Sequence, residues 1–323
     1  MKNNKPTFID LFAGIGGMRL GFEAACKDLG HDSECIFSSE WDEKCQDTYE
    51  INFGERPDGD ISDITQNALH KIKEHDVLMA GFPCQPFSQA GLRMGFEDTR
   101  GTLFHDIAII LKERKPKVFL LENVRGLRSH DKGQTLKTIL NVLRNDLGYF
   151  VPEPKILNSK DFGLPQNRQR IFIIGFLKEN NFTFPEPPYL ETKVSQILNP
   201  GRTPKKYFIS QRLWDSHRAR RLKNETAIPK KGFGYKSVTA EDKYTSTISA
   251  RYYKDGAEIL IKRKGEDKEV PPRKLTPDEA RQLQGFPRDF IVNKSDVQAY
   301  KQFGNAVSVP VIKSISKEIL KFL

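Results

Sequence analysis

A chain of 323 residues, 37% hydrophobic and 29% charged, can bury a core for one large α/β domain and a smaller one, and is too apolar for a disordered polymer. No apolar run is long enough to span a bilayer, and the start, Met1–Pro6, has no apolar signal region, so the protein is expected to stay in the cytoplasm. The four cysteines show neither C-x-x-C nor zinc-finger spacing, which argues against a disulfide framework and a structural zinc and leaves Cys26, Cys35 and Cys45 as expected small core fillers.

In chain order, Thr7–Phe12 reads as a short apolar strand, Ala13–Gly17 as a glycine turn, and Met18 to about Leu29 as a helix. Glycines there let the backbone approach a ligand and aim a helix N-terminus at it. The pattern G-x-G-x-x-G is absent, so a pyrophosphate cofactor is not the natural reading. Cys35–Trp41 reads as a second strand ending in Glu40, about 20 residues after the glycines, where a ribose diol is normally held. Trp41 beside it offers a flat surface to a purine. The triplet Gly59-Asp60-Ile61 reads more readily as a plain turn than as a strand end presenting a carboxylate to an adenine amino group.

Asp76–Ala80 reads as a buried strand, and the prolines of Gly81-Phe82-Pro83-Cys84-Gln85-Pro86-Phe87-Ser88 then stop regular structure. Cys84 is thus presented on a stiff loop at a strand's carboxyl end, where open α/β sheets bind ligands. On the octet alone, a nucleophile and a buried structural thiol both stand. Thr99–Phe104 leads into an amphipathic helix through Lys112, and Val118–Val124, the most apolar strand, ends in Glu122. A carboxylate there is costly to leave charged and unpaired, and desolvation is expected to raise its pKa towards proton donation. A helix is expected from about Gln134 to Asp146. Gln166, Arg168 and Arg170 alternate on a run entering Ile171–Phe176 and so are expected to share one face, as surface solvation or as a clamp for a carboxylate and a base edge. The strand is too apolar for a surface edge.

Pro185–Pro188 breaks the βα alternation and marks a domain boundary, giving domains at 1–184, 185–290 and a returning segment at 291–323. The net charge of +10 is concentrated: 21 Lys and Arg against 11 Asp and Glu lie between Pro185 and Leu275, and the remainder balances. A single cluster such as Arg218-Ala219-Arg220-Arg221 reads as a solvated face, but a surplus over so long a segment points to a polyanion-binding module. Short β-prone pieces occur at Tyr244–Ala250 and Glu258–Lys262. Thr276 caps a helix with Pro277 at its first position and Glu279 three residues on, and Gln302–Pro310 leads into a last helix to Leu323.

Five of these stretches, Asp10–Gly17, Gly81–Ser88, Glu122-Asn123-Val124, Gln166–Arg170 and Gln302–Val307, stand in an order and spacing that resembles the motif set of the DNA (cytosine-5) methyltransferases of bacterial restriction-modification systems. The match spans nearly the whole chain except about 185–272. The resemblance implies an S-adenosylmethionine-dependent, Rossmann-like α/β catalytic domain with a mostly parallel sheet, and a smaller, mainly irregular/β target-recognition domain. It implies Phe12 and Trp41 flanking adenine, Glu40 on the ribose, and Asp60 and Ile61 at the adenine edge. Gly14, Ile15, Gly17, Pro83 and Leu103 would also contact the cofactor, with Asn305, Ala306 and Val307 closing the site. The base pocket would be Phe82, Pro83, Gln85, Ser88 and Val124. The partner implied is double-stranded DNA, met by a monomer that needs neither membrane nor metal and protects DNA from a cognate endonuclease. Where the family shows a Thr-Leu pair, this chain has Thr247-Ile248, which leaves the base-contact loops unplaced.

The chemistry follows from the residues. Carbon 5 of cytosine becomes nucleophilic only after a thiolate adds at carbon 6, the role of Cys84; an ordinary cysteine, with a pKa of about 8.5, needs help. Protonated Glu122 can donate to ring nitrogen 3 and accept from the exocyclic amine, while Arg170 holds the base oxygen and orients Glu122, with Arg168 close behind. The base must be flipped out of the duplex. A transfer-RNA methyltransferase would carry Cys-Phe-Thr, absent here; a non-enzymatic DNA-binding module is disfavoured by intact Cys84, Glu122 and Arg170; a nicotinamide oxidoreductase fails on the glycine spacing.

Overall fold

Apolar strands alternating with helices assemble into a helix-covered sheet in the computed structural model, which describes residues 5–83, 99, 102–226, 234–263 and 270–323. The chain forms two units: residues 1–158, 169–186 and 309–323 make the first, residues 159–168 and 187–308 the second.

Among the described residues of the first unit, the strands are β1 (Thr7–Leu11), β2 (Glu34–Ser39), β3 (Val77–Gly81), β4 (Val118–Val124), β5 (Lys155–Asn158) and β6 (Gln169–Phe176). They form one sheet in the order β2-β1-β3-β4-β6-β5. The pairs β1–β2, β1–β3 and β3–β4 are parallel; β6 runs antiparallel to β4 and to β5. Burial of nearly every residue of β3 and β4 marks strands covered on both faces, which is why they read as continuous apolar runs. The helices are α1 (Gly17–Asp28), α2 (Glu43–Phe53), α3 (Ile61–Asn67), α4 (Leu103–Arg114), α5 (Gln134–Asn141) and the C-terminal α9 (Val309–Ile319). The helix expected to reach Asp146 does so by way of a π-helical turn over Val142–Asp146. The plain turn expected at Gly59–Ile61 is instead a helix start: the Asp60 side chain accepts from the Ser62 amide at 2.9 Å and Ile61 opens α3. Sheet order reverses between β1 and β3, the switch point at which open α/β sheets bind ligands beyond the carboxyl ends of their strands.

The second unit contains α6 (Gln211–Thr226), α7 (Pro277–Leu283), α8 (Asp296–Asn305) and a parallel ribbon of β7 (Ser237–Val238) with β8 (Leu260–Ile261). Helix α7 has the capping box read from its sequence, Thr276 with Glu279, and Glu279 also takes a bidentate, buried contact from Arg273 at 2.7 and 2.8 Å. Helix α6 was not legible: it is polar all round, burying only Trp214 and His217, and so lacks the apolar stripe that reveals a helix. Tyr244–Ala250 does not form a strand; only Thr245 makes a bridge, to Gln166. Cys26 is buried as expected, whereas Cys35 and Cys45 are half-buried; all three are free thiols.

Candidate active site

Strand geometry in the first unit brings two of the sequence's chemical candidates together. Glu122 stands one residue short of the penultimate position of β4, directly across from Gly81 at the end of β3. Because β6 enters antiparallel, its first residues lie beside the last of β4, and Arg170 faces Val124. Arg170 Nε then meets Glu122 Oε1 at 3.1 Å, with both side chains less than a fifth exposed. Burial lowers the Arg170 pKa from its ordinary value, and the Glu122 charge opposes that fall. Glu122 Oε2 lies 3.7 Å from where a β-carbon on Gly81 would sit, so this oxygen flanks the strand end that leads into Phe82 and Pro83. Val124 is 44% exposed and Phe82 is buried. Cys84, Gln85 and Ser88 lie outside the described residues.

Sequence reading passed over Asn123 as a site residue. Its Nδ2 donates to the Phe82 carbonyl at 2.9 Å and its Oδ1 accepts from the Val124 amide at 2.8 Å, so β4 grips the backbone at the start of the Pro83 loop. The available signal was a carboxamide at the end of an otherwise apolar strand, where a buried polar group needs partners.

A second cluster surrounds the ends of β1 and β2. Phe12, Gly14 and Gly16 adopt positive φ angles of 56°, 56° and 82°, a turn that costs a glycine little and Phe12 strain. A β-carbon on Gly14 would meet nothing within 4 Å, so the space over the turn is open; at Gly16 it would strike the Phe53 ring at 2.2 Å. Glu40 Oε2 accepts from the Gly14 amide at 2.8 Å and Oε1 from the Asp42 amide at 2.9 Å. Burial raises the Glu40 pKa against those amides. Trp41 next to it is 74% exposed. Ile15, Gly17 and Ile61 are buried, Leu103 is half-buried at the start of α4, and Asp60 is exposed. Asp106, also missed, accepts from Ser62 Oγ at 2.8 Å and Thr65 Oγ1 at 2.5 Å, fixing the helix that Asp60 opens. An acid on the apolar face of α4 was the clue.

Asp10 on β1 is buried with its Oδ2 lacking a hydrogen-bond partner among the described residues. Desolvation pushes its carboxyl up to about 8, against the pull of the Arg19 amide and guanidinium, and the nearby Glu40 adds to the rise.

Gln166, Arg168 and Arg170 do not share a face. β6 begins at Gln169, and the two earlier residues fold with the second unit, where both are buried. Arg168 donates to the carbonyls of Ile248, Gly304 and Ala306 at 3.1, 3.0 and 2.8 Å, so its guanidinium braces backbone. Gln166 accepts from the Ile248 amide at 3.0 Å and donates to the Leu283 carbonyl at 3.1 Å. The strand periodicity failed because the two residues precede the strand. Asn305, at the end of α8, is exposed, Ala306 half-buried and Val307 buried, all in the second unit. Among the described residues, no group of three or more His, Cys, Asp or Glu side chains could hold a metal ion, and no helix is long and apolar enough to cross a membrane.

Comparison with known proteins places the chain as a whole. Type II methyltransferase M.SsoII of Shigella sonnei is 52% identical over 327 residues, covering 100% of this chain and 82% of that protein. Type II methyltransferase M1.ScrFI of Lactococcus lactis subsp. cremoris is 50% identical over 327 residues, covering 100% of this chain and 80% of that protein. The crystal structure of the S. pombe Dnmt2 methyltransferase aligns with a TM-score of 0.78 over 98% of this chain and 99% of that one, at 17% identity, a likeness of fold. The sequence profile of the C-5 cytosine-specific DNA methylases matches residues 6–321, and with half-identical Type II methyltransferases over its full length, the chain belongs to that family of DNA cytosine-5 methyltransferases.

Proposed function

We propose that this protein transfers a methyl group from S-adenosylmethionine to carbon 5 of a cytosine flipped out of a specific short sequence in double-stranded DNA, through a covalent bond to Cys84, and so shields DNA from a cognate restriction endonuclease. The observation that carries the reading is the largely buried Glu122–Arg170 pair at the strand ends, with Glu122 directly across from Gly81, three residues before Cys84 in the sequence. Residues 185–290 would recognise the target, and 1–184 with 291–323 would carry the chemistry.

The corner after β1 and β2 fits this cofactor. Phe12 and Trp41 offer aromatic faces, the space over Gly14 is open, and Glu40 can accept from ribose hydroxyls. Burial, with a smaller addition from the nearby Glu40, disfavours a charged Asp10, a cost that a bound cation would ease and a pyrophosphate would worsen. Ile15, Gly17, Asp60, Ile61, Pro83 and Leu103 would complete the contacts in the first unit. When bound, S-adenosylmethionine supplies an electrophilic methyl group.

The chain's own residues do the rest. The Cys84 thiolate adds to carbon 6 of cytosine, and the displaced electron pair makes carbon 5 nucleophilic. Glu122 meets that electron shift by giving a proton to ring nitrogen 3 and accepting from the exocyclic amine. Arg170, which meets Glu122 Oε1 at 3.1 Å, would orient the glutamate and hold the base oxygen. Asn123 fixes the Phe82 carbonyl and with it the approach of the Pro83 loop. After carbon 5 is methylated it loses its proton to a solvent base, the returning electrons expel Cys84 as thiolate, and ring nitrogen 3 returns its proton to Glu122. Phe82, Gln85, Ser88 and Val124 would line the pocket. Arg168 would act by bracing backbone rather than by touching the base.

The test is tritium transfer from labelled cofactor into duplex DNA and into transfer RNA, with a duplex carrying 5-fluorocytosine as a trap. Label in DNA and a denaturant-resistant adduct with wild type but not Cys84→Ser are expected. Label confined to transfer RNA, or no adduct in the presence of cofactor, overturns the proposal.

A further inference from the structure

Three adjoining clefts in the second unit, of about 580, 490 and 490 Å³, have Arg221 and Tyr235 in common among their lining residues. The arginine cluster of α6, taken alone, is a solvated face, and its members differ once folded. Arg220 is committed inside the unit, its Nη2 lying 3.2 Å from Asp255 Oδ2 and 2.6 Å from His217 Nδ1. Arg221 instead donates from Nε to Glu225 Oε1 at 2.8 Å, and its guanidinium lies 5.2 Å over the centroid of the Tyr235 ring. Tyr235 in turn stands edge-on to the buried Trp214 at 4.8 Å, part of a small core with Ile209 and Leu260. The approach of the Tyr235 segment to α6 is built in: Gly234 has φ +63°, and a β-carbon there would fall 2.9 Å from Arg221 Cα.

A guanidinium clamped between a carboxylate and an aromatic ring loses much of its rotamer freedom before any ligand arrives. Neutralising a phosphate needs only charge, which a mobile lysine supplies; a planar fork held in place suits the paired acceptors O6 and N7 of guanine. The largest cleft also carries Lys236 and Lys262 beside the polar side chains Asn224, Ser237 and Ser246, the mixture of positive charge and hydrogen-bonding groups that a DNA groove meets. We propose that Arg221, seated on Tyr235, is a specificity-determining residue that reads one guanine of the target through the major groove. This rests on the reading that the protein methylates duplex DNA.

The experiment treats a randomised duplex library with wild type, Arg221→Ala and Arg221→Lys, and reads methylated cytosines and their flanks by bisulfite sequencing. Cofactor binding without DNA, measured by calorimetry, checks that each variant is folded, and Arg221→Lys keeps the charge while removing the fork. Wild type is expected to demand guanine at one position, and both variants to lose that preference by about tenfold or more. Unchanged base preferences in both variants, with a uniform loss of rate and, for Arg221→Ala, a salt slope shallower by about 0.9, would make Arg221 a phosphate contact and overturn the proposal alone. A wild-type library without cytosine-5 methylation would overturn the methylation reading and this proposal with it.

Discussion

Glu122 sits where a lone carboxylate would be expensive, and Arg170 makes the position tenable by meeting its Oε1 at 3.1 Å. Arg170→Lys keeps the charge but loses the planar Nε contact, and is expected to lower kcat/KM about a hundredfold, the scale of removing one positioned donor. Tritium transfer measures it, and an unchanged kcat/KM would remove Arg170 from the site. Asp10 makes a separate prediction about pH. With its carboxyl pushed up to about 8, the folded protein keeps a proton that the unfolded chain releases above about pH 4. The stability it contributes is therefore complete below about pH 4 and lost as pH climbs through about 8. Asn at this position has no proton to lose, so between pH 5 and pH 8 wild type should lose at least about 1.4 kcal/mol more stability than Asp10→Asn, one pKa unit's worth. Denaturant titrations at the two pH values measure this, and parallel losses would mean that Asp10 finds a partner for its charge.

Glycines decide how closely two pairs of elements approach. In the first unit, Gly21 of α1 faces α9, where a β-carbon would lie 2.5 Å from Ile312 Cβ, and Lys313 and Lys317 of α9 reach Asp28 at the other end of α1. In the second, Gly304 of α8 rests on backbone: a β-carbon would come 2.3 Å from the Ser249 carbonyl carbon and 2.4 Å from the Ala250 amide nitrogen. Backbone cannot rotate away as a side chain can. Gly304→Ala is accordingly expected to destabilise the second unit by about 1–3 kcal/mol, the usual cost of overpacking, despite alanine's better helix propensity. Urea denaturation followed by Trp214 fluorescence would report it. An unmoved midpoint would show that residues 249–250 yield without cost. Arg168 bonds the carbonyls of Ile248, Gly304 and Ala306, so the same backbone is held from both sides.

At the scale of the molecule, the positive surplus of 185–275 should set how the protein meets DNA. If its lysines and arginines grip phosphates, log K should fall against log salt with a slope of about −0.9 per phosphate contacted. Replacing residues 185–272 with the corresponding segment of another family member should change the methylated sequence while Cys84 chemistry continues, and an active chimera that still methylates the parental site, read by bisulfite sequencing, would place recognition elsewhere. From the sequence alone came the apolar strands, the glycine turn, the α7 capping box and the chemical candidates Cys84, Glu122 and Arg170, because buried strands, caps and unusual polar residues leave local marks. Only the tertiary structure decided that β6 runs antiparallel beside β4, which is what carries Arg170 to Glu122, and that Gln166 and Arg168, four and two residues earlier, turn instead into the second unit. Strand order and direction are settled by packing between residues far apart in sequence, and a polar helix such as α6 is held by a few buried anchors, so neither leaves a local period to read.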